Sequence, residues 1–158
     1  METKLSKRMS VIAGLVIFFG VLNILLLLFQ AEAAVGGIWT EEALAKWNES
    51  IFGVQVLLLS SRTVFGAITN VLAMLFMLNS IKLMKCGEFF SKCNANIIWW
   101  SAPIYFLYSF CSDNMPIVYG VRNAVINSDS IFIPLLLIGI AMIYSTGVRL
   151  SEEKRLTV

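Results

Sequence analysis

The 158-residue sequence contains no histidine. That removes the usual general acid–base side chain and the commonest nitrogen ligand for metals. Charge is also scarce: Asp, Glu, Lys and Arg make up 14% of the chain, against about 25% in soluble domains. The charges gather in a few short segments instead of recurring at every turn, which does not suit a helix facing water. The net charge of +2 is too small for a nucleic-acid footprint, and no direct nucleic-acid binding is expected. Cysteine is limited to Cys86, Cys93 and Cys111. An odd, scattered set gives no disulfide framework, the Cys86–Cys93 spacing is too long for a zinc hairpin, and no metal or cofactor is expected. There is no glycine-rich phosphate loop. With no paired carboxylates in the apolar segments, hydrolytic chemistry has nothing to assemble from, and the chain reads as non-enzymatic.

What the sequence has in abundance is apolar surface, 58% of residues with a mean hydropathy of +0.81. It is arranged in blocks of about the 20 residues needed to cross hydrocarbon as a helix. The expectation is an all-α, integral membrane four-helix bundle of two hairpins, a single domain over 1–158 with spans near 9–30, 63–84, 96–112 and 131–149. The first apolar run, though it starts with Lys4, Lys7 and Arg8, is longer than a signal-peptide core and reads as an uncleaved span. Between the first two spans lies an acidic stretch with Thr40-Glu41-Glu42 as a helix start. Leu44, Trp47, Ile51, Val54 and Leu58 recur after it at helical steps, so an amphipathic interfacial helix in the first outer loop is expected, ending near Ser61. Pro134 falls in the first turn of the last span, where a missing N–H costs nothing.

Orientation follows from basic residues. The polar break between the two hairpins carries Lys82, Lys85 and Lys92. Placing it inside with both termini puts nine of the 12 basic residues on the cytoplasmic face and leaves Lys46, Arg62 and Arg122 outside. The expected location is therefore a cell membrane, crossed several times, N-in and C-in. Within the spans, Asn23, Asn70 and Asn79 are expected to face the bundle interior and bond across helices. Arg62, near the outer boundary, is expected either to snorkel or to form a structural ion pair with Asp113 or Glu49.

Two strings on the cytoplasmic face draw attention. Gly87-Glu88-Phe89-Phe90-Ser91-Lys92-Cys93-Asn94 combines a helix stop, an aromatic pair and an N-cap. The ending Gly147-Val148-Arg149-Leu150-Ser151-Glu152-Glu153-Lys154-Arg155-Leu156-Thr157-Val158 closes on a paired Glu followed by Leu-Thr-Val. Together they resemble the inner-loop and C-terminal signatures of a bacterial family of small four-span membrane proteins, catalogued as domain of unknown function 2975. The resemblance covers nearly the whole chain through span order. It implies a four-helix membrane fold, frequent encoding beside a small helix-turn-helix regulator of the Cro type, and no established activity. The sequence departs from the family where Ala95-Asn96-Ile97-Ile98-Trp99-Trp100 replaces a basic run. On this basis Gly87, Phe89, Phe90, Ser91, Asn94, Glu152, Glu153 and Leu156 are the candidate partner-binding residues, and the expected role is a regulatory or tethering protein for a cytosolic regulator. The alternative is a component of a small transporter or channel, which would need a homo-oligomer to make room for a path.

Overall fold

The computed structural model describes residues 4–36, 47, 50–86, 88, 90–120 and 123–156. Every regular element among them is helical. α1 spans Lys4–Gly36, α2 Phe52–Lys85, α3 Lys92–Asp113, α4 Met115–Val118 and α5 Ser128–Leu156. α1, α2 and α5 are long and apolar enough to cross a membrane. α3 has 22 residues, about 33 Å of helix, but its Asn, Ser, Tyr and Trp residues leave it without a sustained apolar stretch like those of α1, α2 and α5.

The helices pack in sequence order, α1 on α2, α2 on α3 and α3 on α5. Side-chain contacts show each pair to be antiparallel. Leu27 lies against Gly66 and Gly20 against Met74 along the first seam. Asn79 meets Cys93 and Arg62 meets Ser112 along the second. Lys92 meets Glu152 and Ser109 meets Ser130 along the third. The start of α1, the α2–α3 turn and the end of α5 therefore share one end of the molecule, the basic end. Among the described residues α1 and α5 make no close backbone approach. The side between them is an open apolar groove of about 460 Å³, floored by residues such as Leu72 and Phe76 of α2 and Ile98 of α3, and flanked by Val16 and Leu137.

Two expectations about helix limits are corrected. Residues 52–61 do not belong to a separate interfacial helix: α2 runs unbroken through Arg62. It contains no proline, Gly53 falls only in its first turn, and Ser60 and Thr63 turn their hydroxyls back onto the carbonyls of Val56 (2.7 Å) and Leu59 (2.9 Å), so both are satisfied within the helix. The predicted helix start at Thr40 and Leu44 lies outside the described residues. Trp47 packs instead against the start of α2, its ring 5.4 Å from that of Phe52. α5 begins at Ser128, so Pro134 is an interior residue and cannot donate to the carbonyl of Ser130.

The densest packing is at the end opposite the basic one. Leu58, Leu59, Cys111 and Val118 form a buried cluster, surrounded by Ala31, Ala34, Trp47, Phe110, Met115 and Ile117. Gln55, fully buried, donates to the carbonyls of Ile117 and Val118, both at 3.3 Å, and so holds α4 onto α2. The chain leaves α4 through Gly120, whose φ of 96° is a left-handed value that glycine takes freely.

Candidate functional site

At the basic end, the turn into α3 is set by Ser91. Its extended backbone leads into the helix and its hydroxyl accepts from the Asn94 N–H at 3.1 Å, the expected N-cap. Asn94 follows in the first turn, where its side chain points into the seam and is fully buried. Its amide nitrogen donates to the Ser80 hydroxyl of α2 at 3.0 Å and to the Tyr144 hydroxyl of α5 at 3.4 Å. Ser80 passes its own proton to the Phe76 carbonyl at 2.7 Å. One amide thus ties three helices together. Its Oδ1 is buried and has no hydrogen-bond partner among the described residues.

Phe90 precedes this knot. Its ring stands edge-on to Tyr144 at 5.1 Å and lies over Gly147, where a Cβ would come within 2.7 Å of it. Tyr144 also meets Phe76, at 6.1 Å. Beyond the aromatic group, Lys92 pairs with Glu152 at 2.9 Å, and Arg149 with Glu153 at 3.3 Å. All four side chains are well exposed, so each pair contributes at most about 1 kcal/mol. A polar hollow of about 320 Å³ between α3 and α5 is lined by Lys92, Asn96, Ser145, Arg149 and Glu152. Its two cations are each paired, Lys92 with Glu152 of the lining and Arg149 with Glu153 beside it, which favours neither an anion nor a cation. Among the described residues no group of three or more potential ligands could hold a metal.

Of the candidate residues, Phe90, Ser91, Asn94 and Glu152 are therefore brought together, with Glu153 beside them. Gly87 and Phe89 lie outside the described residues. Leu156 ends the backbone of α5, and its side chain is outside them as well. Ser91 and Asn94 are occupied within the fold, so of these residues Phe90 and the charged side chains offer exposed surface. Tyr144 was missed from sequence, and Gly147 stood only as the first residue of the C-terminal string, with no role of its own. Their three-residue spacing puts them on one face of α5, but nothing in the sequence shows that this face receives Phe90.

The expected Arg62–Asp113 ion pair is not formed. Arg62 donates to Gln30 of α1 at 2.7 Å and, at 3.5 Å, to Ser112, the residue before Asp113. Asp113 turns the other way, accepting from Ser130 and from the side chain (2.8 Å) and backbone N–H (3.3 Å) of Asn127. Desolvation is the largest influence on this carboxyl and would raise its pKa. The three hydrogen bonds together outweigh it and hold the pKa below the ordinary aspartate value. Beside it Asn114, also unforeseen, exchanges two 2.8 Å bonds with the backbone of Val125. Asp113 and Asn114 together pin the loop that leads into α5.

Of the span asparagines, Asn79 does bond across a seam, to Cys93 at 3.4 Å. Asn70 bonds its own helix at Gly66, 2.8 Å. Asn23 makes no hydrogen bond to any described residue and is exposed on α1. No family model, curated protein or solved structure matches this chain.

Proposed function

We propose that this chain crosses the bacterial cytoplasmic membrane four times, with both termini inside, and acts without catalysis as a tether for a cytosolic protein. The partner that the family resemblance implies is a helix-turn-helix transcription regulator. One observation carries the reading: the inner loop and the C-terminal segment, about 60 residues apart in sequence, form one surface, joined by Lys92–Glu152 and by Phe90 on Tyr144 and Gly147. A partner recognising both strings would meet a single rigid face. The four-span reading is supported by the position of α3, antiparallel between two helices of membrane length. The orientation is supported by Lys7, Arg8, Lys82, Lys85, Lys92 and Arg149 sharing an end.

The test is capture from native membranes with an affinity tag on the full chain. A cytosolic regulator should co-purify with the wild type and be lost when Phe90→Ala is combined with deletion of residues 152–158. Eluates that do not differ between the two would refute the tether. A reporter fused after Val158 that reads as external would refute the orientation.

A further inference from the structure

We infer that two copies of this chain associate in the membrane along α1, with the Asn23 side chain of each hydrogen-bonded to that of the other. The inference rests on the reading that α1 lies in lipid. Asn23 sits within the unbroken apolar run of residues 9–29, about 9 Å of helix from its outer limit and about 21 Å from its inner one. At that depth there is no water to satisfy an amide, and hydrocarbon offers neither donor nor acceptor. Yet Asn23 has no partner among the described residues. Across a hollow shared with Ala73 and Gly20 stands Asn70, which spends one of its two amide N–H groups on Gly66 and makes no hydrogen bond to Asn23.

What can satisfy Asn23 follows from its chemistry. An amide carries both donor and acceptor, so the same residue on a helix related by a two-fold axis accepts from it and donates to it at once. A second copy supplies this partner and an acyl chain does not. The surface around Asn23 is free to receive a helix. Among the described residues α1 packs its backbone on α2 alone and its flank toward α5 is uncovered, and Phe19 and Leu26, one turn to either side of Asn23, are 59% and 51% exposed.

The experiment uses the full chain with Cys86, Cys93 and Cys111 replaced, in native membrane vesicles. Oxidation should cross-link Phe19→Cys, which shares a face with Asn23, and spare Leu25→Cys, which is equally exposed (58%) but on the opposite face. In detergent, Asn23→Leu should weaken the dimer roughly three- to thirtyfold, the factor that an interhelical amide bond in a membrane supplies, and Asn23→Gln should retain it. Equal dimerisation of Asn23→Leu would show the amide bonding its own helix, as Asn70 does, and would overturn the inference. So would a chain monomeric at every dilution, or an Asn23-dependent cross-link to a different protein. Alkaline carbonate extraction separates the two levels: a chain that stays with the membrane but does not pair refutes the dimer alone, whereas one that is extracted refutes the membrane reading and the dimer with it.

Discussion

Gly147 is the position where the packing of the basic end makes the sharpest quantitative demand. A methyl group added there would meet Phe90 at 2.7, 2.9 and 3.0 Å, so the ring must move away. Moving it gives up the edge-on contact with Tyr144, about 0.5–1.5 kcal/mol. It also gives up part of the ring's burial. With Phe90 41% exposed, roughly half of the about 1.5–3 kcal/mol for a fully buried side chain is at stake. Against this, alanine is the better helix former by about 0.8–1 kcal/mol. The balance makes Gly147→Ala destabilising by roughly 0–2 kcal/mol in the wild type. In a Phe90→Ala background the clash is absent and only the helix gain remains, so the same substitution should stabilise by up to about 1 kcal/mol. The sign reversal is read by a double-mutant cycle of thermal or denaturant unfolding in a single detergent, with hydrogen exchange at the start of α3 as a local reporter. Additivity within about 0.5 kcal/mol would mean that Phe90 does not rest on Gly147, and the joined loop and tail would lose their mechanical basis.

Other perturbations probe the remaining seams. Asn94→Ala removes the amide shared by α2, α3 and α5 and should cost about 1–3 kcal/mol; unchanged unfolding would show that the buried amide contributes nothing net. Asp113 has a lowered pKa, so its contribution is fully present above the ordinary aspartate range near pH 4 and fades as pH falls through the lower, folded value. Melting temperature should therefore drop on acidification below about pH 4, with Asp113→Asn flattening the profile; identical profiles would contradict the loop-pinning role. Gln55→Ala should release α4 from α2 and cost about 1–2 kcal/mol, seen as faster amide exchange at Ile117 and Val118. The pair Lys92–Glu152 is 75% and 49% exposed on its two sides, so Lys92→Ala should change stability by no more than about 1 kcal/mol and less at high salt; a larger loss would mean the pair is more shielded than it stands here.

The helices were legible because apolar length is a strong signal, and the turn at Ser91 because its capping chemistry is local. The sense of each helix face was not. A segment apolar all round carries no periodic stripe, so nothing in the sequence distinguished Asn79, which bonds across a seam, from Asn23, which lines a hollow beside one without bonding across it. Arg62 was a misleading landmark: a lone charge in a long apolar block reads as a boundary, yet its stem crosses the seam and its head is satisfied by neutral Gln30 and Ser112. The residue it was expected to find, Asp113, is one position further along α3 and faces another helix, a distinction of about 100° around the axis that spacing alone does not resolve. The far-end fastening by Gln55 and Asn114 depends on backbone carbonyls and N–H groups of distant loops, which leave no trace in side-chain pattern.

The order of the seams bears on how the protein is made. Each long helix after α1 packs its backbone on the long helix that precedes it in the chain, and among the described residues α5 reaches back to α2 through side chains such as Tyr144. A nascent chain leaving the ribosome can therefore dock each new segment on one already in place, without holding an early helix idle for a late one. Arrival of α5 brings Glu152 to Lys92, so formation of that bridge would report that α5 has docked on α3.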